Sequence, residues 1–268
     1  MRRHTAGGTT VLRQQLSWGA ALRRPEINSG CVPQRAVAAA RLAAAAKRVF
    51  DLVGAGAMLV ILSPLILCVA LAIVVDSRGG VFYRCSRVGQ HGRAIWMLKF
   101  RKMHGGASGV ALTAPDDERF TRVGRCLART KLDEIPQLWN VLRGDMSLVG
   151  PRPEDPGFVE RYRHEYGEIL LARPGITGLC QLAFAKESEI LDPDNRVEDY
   201  VSRVLPQKIA LDRLYAQQRS LLMDLRILGW TCVAVLVRRD VAVHRSTGRL
   251  SLRRRAEGSL EFGGARVV

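Results

Sequence analysis

Two adjacent carboxylates, Asp133 and Glu134, stand at the start of a short amphipathic stretch that could perform chemistry on a phosphate. Pro136 suits a first helical turn, where its missing N–H costs nothing, and Gly144 is a typical helix end. Arg152 follows between two prolines, which stiffen the backbone that carries it. Acidic side chains, a fixed guanidinium and the free N–H groups of a helix start together favour a phosphate substrate.

A structural explanation of the acidic pair is the alternative, because acids in a first helical turn commonly just complement the helix dipole. Adjacent helical residues also point about 100° apart, so a chemical role would require different tasks for the two acids. The apolar residues behind the pair recur at helical spacing and predict one buried face, formed by Ile135, Leu138, Trp139 and Leu142.

Composition indicates a polyanionic partner. The 268 residues contain 41 Lys and Arg against 25 Asp and Glu, a formal net charge of +16. Such an excess suits nucleic acid, anionic lipid or a phosphorylated substrate. Nucleic acid is the weakest of the three, because aromatic residues make up only 6% of the chain and no nucleic-acid-binding motif is present. The six cysteines form no CxxC pair, which fits reduced thiols in a cytoplasmic setting.

The stretch from Val49 to Val75 is the one segment apolar enough for a membrane, with a single charge at Asp51. Ser63-Pro64 lies in its middle, where proline removes a helical hydrogen bond that the serine hydroxyl could replace. Basic residues flank both ends, and the positive-inside rule therefore favours both ends on the cytoplasmic side. The residues alone leave a kinked spanning helix and a re-entrant hairpin both open.

The chain resembles the bacterial sugar transferases, the monotopic polyprenyl-phosphate phosphoglycosyl transferases that prime exopolysaccharide synthesis. The matching segments occur in family order between Lys47 and Arg239: KRVFDLVGAG, SPLILCVALAIVVDSRGGVFYR, RVGQHGR, LKFRKM, TRVGRCLARTKLDEIPQLWNVLRGDMSLVGPRPE and RPGITGLCQL. The chain departs from the family at Lys102, where threonine is usual, and at Ala128, where a basic residue is common.

The resemblance implies an α/β fold that is mostly helical, a small cytoplasmic catalytic domain built on a single N-terminal re-entrant membrane helix hairpin. Residues 1–46 lie outside the resemblance, and their excess of arginine predicts a basic, disordered extension, of which the alanine-rich part from Arg35 to Ala46 could form a helix leading into the membrane. The re-entrant helix is expected over 47–77, the phosphoglycosyl transferase domain over 78–239 and a basic flexible tail over 240–268. The expected location is the bacterial inner membrane, with the active site facing the cytoplasm.

The resemblance also implies the reaction, which is transfer of a sugar-1-phosphate from a UDP-sugar to polyprenyl phosphate with release of UMP. Asp133 is then the nucleophile that forms a covalent phosphosugar intermediate, and Glu134 is a base or orients the nucleophile. Lys99 and Arg101 belong to the K-F-R element of the family's active site, and alternation along a strand puts both on one side. Together with Arg152 they are the expected substrate-binding residues.

Mg²⁺ is the expected cofactor, with Asp133 as its protein ligand, because this ion binds carboxylate and phosphate oxygens together. The expected partners are the UDP-sugar, the polyprenyl phosphate lipid and the anionic inner leaflet, with a homo-oligomer left open. Two alternatives remain. A membrane adaptor for polysaccharide assembly would catalyse nothing, and a conventional glycosyltransferase would release UDP instead of UMP.

Overall fold

The computed structural model describes residues 34–107, 112–114, 117–237 and 239–252. The α-helices, in chain order, are α1 (Gln34–Asp76), α2 (Arg122–Thr130), α3 (Gln137–Arg143), α4 (Pro156–Arg161), α5 (Arg163–Ile169), α6 (Leu179–Ala183), α7 (Glu187–Ile190), α8 (Arg196–Asp199), α9 (Leu205–Gln218) and α10 (Leu221–Leu236). Shorter helical turns are the 3₁₀ turns Gln90–Gly92 and Leu132–Glu134 and the π-helical turn Tyr200–Val204. The strands are β1 (Phe82–Val88), β2 (Ala94–Phe100), β3 (Ser147–Val149), β4 (Gly175–Thr177), β5 (Val241–Val243) and β6 (Leu250–Leu252). The mostly helical α/β fold that the sequence predicts is confirmed.

Helix α1 is 43 residues long and is, among the described residues, the one helix long and apolar enough to cross a membrane. Its most apolar window is only 11% buried against the rest of the protein, although its mean hydropathy is 3.0. The alanine-rich residues before Lys47 form its first turns, as expected from their helix propensity. The predicted disorder of residues 1–33 lies outside the described residues.

The helix continues through Pro64, so the predicted break at Ser63-Pro64 is not an interruption of helical structure. Proline cannot donate to the carbonyl four residues earlier, which belongs to Val60. The hydroxyl of Ser63 donates to that same carbonyl at 2.8 Å. The serine therefore replaces the hydrogen bond that the proline removes, as the sequence suggested.

Both ends of the apolar stretch of α1 contact the folded protein. Near its start, Arg48 donates to the carbonyls of Val141 and Leu142 at 2.7 and 2.9 Å, which caps the end of α3. Near its end, the Oδ2 atom of Asp76 accepts a hydrogen bond from the backbone of Val123 at 3.0 Å. The two anchors are 28 residues apart in the chain. Between them one face of α1 packs on the protein, with Ala55 0% and Val69 8% exposed, whereas Val60 and Ile61 on the opposite side are 75% and 73% exposed.

Apolar burial reinforces the anchor at the end of α1. Ile73 is 2% exposed and lies in one hydrophobic cluster with Phe100 and Leu127, which are 1% and 2% exposed. Fully burying side chains of this size is worth about 1.5–3 kcal/mol each. The end of α1 is thus fixed to strand β2 and helix α2, which flank the acidic pair.

The strands of the described residues form three separate two-stranded sheets. Strands β1 and β2 are antiparallel, with Phe82 opposite Phe100, and β5 and β6 form a second antiparallel pair. Strands β3 and β4 are parallel, with Ser147 opposite Gly175. The β5–β6 hairpin occupies 241–252, so this part of the predicted flexible tail is folded, whereas 253–268 lies outside the described residues.

The predicted apolar face at helix α3 is buried only in part, although Ile135, Leu138 and Leu142 contact the core as expected. Leu138 is 4% exposed as expected, but Trp139 is 53% exposed and Val141, at 0%, takes its place in the core. A helix of seven residues makes only two turns, and here residues three apart, Leu138 and Val141, contact the core. Gly144 ends the helix with φ of 90°, in the left-handed conformation that glycine adopts readily.

Candidate active site

The acidic pair lies on the 3₁₀ turn Leu132–Glu134, between α2 and α3, and not in the first turn of an α-helix. Lys131 enters this turn in the left-handed conformation, with φ of 59°, which is uncommon for a residue other than glycine. A 3₁₀ turn has three residues per turn, so neighbouring side chains diverge by about 120°. The two acids accordingly have different partners, as the sequence argument requires.

Each acid faces one lysine from the end of strand β2. Lys99 Nζ lies 2.7 Å from Glu134 Oε1, and Lys102 Nζ lies 3.2 Å from Asp133 Oδ2. The Asp133 side chain is only 3% exposed, yet it borders a cavity of about 1860 Å³. A buried carboxylate needs a paired charge, and Lys102, which stands where the family usually has threonine, provides it here.

Asn140 fixes the distance between β2 and the acidic turn. Its side-chain oxygen accepts from the backbone N–H of Leu98 at 2.9 Å, and its amide nitrogen donates to the carbonyl of Trp96 at 2.8 Å. Asn140 is 2% exposed and extends from α3, which directly follows the acidic turn. These two bonds attach α3 to the strand that carries Lys99, and they place the ammonium group beside Glu134.

The turn that carries Arg152 follows β3 and is set by close contact with β4. Gly175 donates to the carbonyl of Pro151 at 2.8 Å, and Gly150 donates to that of Thr177 at 2.9 Å. A Cβ atom on Gly175 would overlap the backbone of Gly150, so a side chain at this position is excluded. This close backbone approach at the R-P-G-I-T-G turn supports the turn that holds Arg152.

Electrostatics hold Glu134 in its charged form. Burial alone would raise its pKa, but the charges of Lys99 and Arg152 outweigh burial and lower the pKa of Glu134 to about 2. Burial conversely lowers the pKa of Arg152, and Glu134 and Glu154 more than compensate, so it stays above its ordinary value. An efficient general base has a pKa near the working pH. Glu134 therefore pairs with Lys99 as a charged carboxylate, and its charge also stabilises the guanidinium of Arg152.

Arg101 borders the same cavity but is engaged elsewhere. Its Nη1 and Nη2 atoms donate to the backbone carbonyls of Arg78 and Ser77 at 2.6 and 2.8 Å, just after α1. Its guanidinium fills the space beside Gly79, where a Cβ atom would lie 2.8 Å from Nη1. Arg101 thus fixes the end of α1, and its contact with substrate stays a prediction. The other predicted site residues line one cavity together: Lys99, Asp133, Glu134 and Arg152.

The carboxylates of the cavity fit a magnesium ion only in combination with a substrate. Within the described residues, no group of three or more His, Cys, Asp and Glu side chains could hold a metal ion. Mg²⁺ is typically bound through one or two carboxylates plus substrate phosphates, with water completing the shell. Asp133, whose carboxylate borders the cavity, fits such a set, and the metal stays a prediction for the substrate-bound enzyme.

Sequence reasoning missed several side chains behind Arg152. Glu154 and Lys208 are 7% and 2% exposed and form an ion pair of 2.9 Å, and Asp212 is 2% exposed. The contact between Glu154 and Lys208 joins residues 54 positions apart, so no local pattern indicates it. One sequence feature could have indicated these buried charges. Lys208 and Asp212 are four residues apart in a helix whose same face is otherwise apolar.

The chain is similar to proteins of one bacterial enzyme family. The profile of the bacterial sugar transferase family matches residues 42–238. A protein of Caulobacter vibrioides named UDP-glucose:undecaprenyl-phosphate glucose-1-phosphate transferase is 41% identical over 195 residues, which cover 71% of this chain and 69% of that protein. The exopolysaccharide production protein PSS of Rhizobium leguminosarum bv. phaseoli is 39% identical, over 72% of this chain and 96% of that protein.

A third relative is longer than this chain. The undecaprenyl-phosphate galactose phosphotransferase of Salmonella typhimurium is 38% identical over 213 residues, which cover 73% of this chain but 41% of that protein. The family profile covers most of the chain, including most of α1, the acidic turn and the turn of Arg152. The chain therefore belongs to the bacterial sugar transferase family and is an enzyme of the phosphoglycosyl transferase type.

Proposed function

We propose that this enzyme transfers a sugar-1-phosphate from a UDP-sugar to undecaprenyl or a similar polyprenyl phosphate and releases UMP. The observation that carries the proposal is the placement of Asp133, a buried carboxylate at a cavity that also contains Lys99, Lys102 and Arg152. The names of the relatives support the substrates, since they include glucose and galactose phosphotransferases that act on undecaprenyl phosphate.

The proposed reaction has two displacements at one phosphorus atom. A carboxylate oxygen of Asp133 attacks the phosphorus bonded to the sugar, the bond to the bridging oxygen breaks, and UMP leaves with that oxygen. An oxygen of polyprenyl phosphate then attacks the same phosphorus and releases the aspartate. Both nucleophiles are already anions, so neither step requires a base, which agrees with a structural task for Glu134.

Positive charge is the main requirement of this chemistry, because an anion must approach a diphosphate. Lys99, paired with Glu134, and Arg152, whose charge Glu134 stabilises, are placed to neutralise the phosphate oxygens as charge shifts toward the leaving group. Lys102 Nζ lies 3.2 Å from the attacking carboxylate of Asp133 and forms an ion pair with it. Mg²⁺ bound by Asp133 and the phosphates would supply further neutralisation.

The nucleotide product tests the proposal. Incubated with UDP-glucose or UDP-galactose, Mg²⁺ and undecaprenyl phosphate, the enzyme should release one UMP for each lipid-linked sugar formed. A conventional glycosyltransferase would break the bond between sugar and phosphate and release UDP, so UDP as the product would contradict the proposal. A non-catalytic adaptor, which has no need of a buried carboxylate facing lysines, would release neither nucleotide.

We also propose that α1 enters and leaves the membrane on its cytoplasmic face. Arg48 at one end and Asp76 at the other bind the same folded unit, which can lie on only one side of a membrane. Pro64 lies between these anchors, and it leaves the carbonyl of Val60 without its usual backbone donor. Ser63 donates to that carbonyl, so a helix that bends at Pro64 keeps its polar groups paired in lipid.

The topology predicts the accessibility of cysteines introduced on either side of α1. In a background without the reactive native cysteines, Leu42→Cys and Gly80→Cys should both resist a membrane-impermeant maleimide in spheroplasts and react after permeabilisation. Ile61→Cys, 73% exposed in the apolar middle, should stay unlabelled in both states because lipid covers it. Labelling of one flank in intact spheroplasts would establish a spanning helix instead.

A further inference from the structure

Helix α9 holds the turn of Arg152 from behind at two points. Lys208 Nζ binds Glu154 Oε1 at 2.9 Å, and Asp212 Oδ2 accepts a hydrogen bond from the backbone N–H of Arg152 at 3.2 Å. Residues four apart lie on one face of a helix, so a single face of α9 fixes both ends of the Arg152-Pro153-Glu154 segment.

Every donor of the Lys208 ammonium group has a partner. Besides Glu154, Nζ binds Glu187 Oε2 at 2.9 Å and the hydroxyl of Tyr200 at 2.7 Å. Tyr200 in turn donates to the same oxygen of Glu154 at 2.9 Å. An ammonium group has three donors, so this buried site uses all of them and leaves Lys208 a single arrangement.

Stability alone gives little reason for such a network. Apolar side chains of similar volume often replace a buried ion pair without loss of stability, because burying two charges is costly. Burial favours the neutral form of Lys208, but Glu154 and the other anions outweigh it and raise its pKa well above the usual value. The pKa of Glu154 is lowered, since the charges of Lys208 and Arg152 outweigh its burial. Both groups are therefore charged at neutral pH.

The competition for Glu154 suggests what the network does. Oε1 of Glu154 lies 2.9 Å from Lys208 Nζ but 3.9 Å from Arg152 Nε, so the lysine is the closer cation. Without Lys208, the carboxylate of Glu154 would lose its closest cation, attract the guanidinium of Arg152 more strongly and draw it away from Glu134. The Arg152 side chain is 35% exposed and has room for this movement.

We propose that Lys208 is a positioning residue that occupies Glu154 and thereby leaves the guanidinium of Arg152 directed at the substrate diphosphate. This inference rests on the proposed function, because it assigns Arg152 to the phosphates. It predicts that removal of Lys208 slows the first half-reaction only while Glu154 is charged.

The test is the rate of the first half-reaction, UMP release from UDP-sugar and Mg²⁺ without lipid acceptor. Lys208→Met should slow this burst about 10- to 100-fold, on the scale of misplacing a group by about 1 Å. The double variant Lys208→Met/Glu154→Gln should recover to within about threefold of native, a coupling typical of contacting residues. The burst amplitude counts competent molecules, so a merely structural role would lower the amplitude and leave the normalised rate unchanged.

The exposed pair on the same helix provides the matched control. Arg213 and Glu168 are each 48% exposed and 2.8 Å apart, outside the cavity lining, so Arg213→Met should leave the burst rate unchanged. A native burst rate in Lys208→Met, or a double variant as slow as the single one, would overturn the inference. Should Lys208→Met fold poorly, Glu154→Gln tests the inference by itself. A burst rate within about threefold of native is expected, because this variant removes the competing carboxylate. A burst rate more than about tenfold below native would show that Glu154 does not compete for Arg152.

The affinity for UDP-sugar, measured by calorimetry in the same variants, separates the inference from the proposed function. Binding requires no turnover, so a native enzyme that binds the nucleotide but releases no UMP would contradict the proposed function alone. In that case weaker binding by Lys208→Met, restored in the double variant, still supports the positioning role, and equal affinities in all variants overturn it.

Discussion

Asp133→Asn should abolish UMP release, with a loss of about 10⁴-fold or more, the scale seen when a group of the catalytic machinery is removed. The amide keeps the shape of the side chain but has no anionic oxygen to attack phosphorus. Membrane insertion and folding should persist, because Asn can still accept a hydrogen bond from Lys102, 3.2 Å away in the native protein. Circular dichroism and detergent-extracted yield check the fold, and a radiolabelled UDP-sugar assay checks the rate.

The covalent intermediate gives the same prediction a direct readout. With UDP-sugar and Mg²⁺ but no lipid, native enzyme should release about one UMP per active site and then stop, as expected for a two-step covalent route. Trypsin should then yield the peptide 132–143 with an added phosphosugar, and fragmentation should place it on Asp133 rather than Glu134. Neither burst nor adduct should form in Asp133→Asn.

Asp145→Asn is the matched control for Asp133→Asn, since Asp145 is a nearby carboxylate outside the cavity lining with its side chain 30% exposed. It should retain normal burst amplitude. Turnover that requires both substrates together, with no adduct at any time, would indicate direct displacement by the lipid phosphate. Asp133 would then act as a metal ligand and not as the nucleophile.

Local signals account for what the sequence predicted well. Gly144 ends α3, Pro136 precedes its first residue and Ser63 serves the carbonyl that Pro64 leaves free. Each of these features depends on neighbours within about four residues, where sequence patterns are informative. The length and apolarity of α1 likewise follow from composition alone, and the turn of Arg152 from its two prolines.

Contacts between distant residues account for what the sequence could not provide. Strand alternation put Lys99 and Arg101 on one side, but Lys99 binds Glu134, 35 residues away, while Arg101 binds carbonyls after α1. The exposure of Trp139 likewise depends on which elements surround α3, and not on its own periodicity. Lys208 could not be linked to Arg152, because their connection passes through Glu154 and the packing of α9.

Arg152→Lys should leave the protein folded and reduce the rate of the first half-reaction about 10²- to 10³-fold, the usual cost of losing one preorganised donor to a transition state. The charge is conserved, so a loss of this size would reflect geometry. A guanidinium presents a planar fork that can bind two phosphate oxygens at once, whereas an ammonium is a single point charge on a flexible stem. The shorter reach of lysine would also move the charge away from Glu134, whose pKa of about 2 depends in part on Arg152.

Arg143→Lys provides the control, because Arg143 is 62% exposed and forms only a loose surface pair with Asp145 at 3.5 Å. The same substitution there should change neither the burst rate nor the melting temperature measurably. Near-native turnover in Arg152→Lys would mean that the arginine contributes only diffuse positive charge. A lower melting temperature with a normal burst rate per active site would instead assign Arg152 to the stability of its turn. A slow burst with an unchanged melting temperature is the expected result. It follows if Arg152 binds the diphosphate through a guanidinium whose charge Glu134 stabilises and whose turn the α9 contacts position.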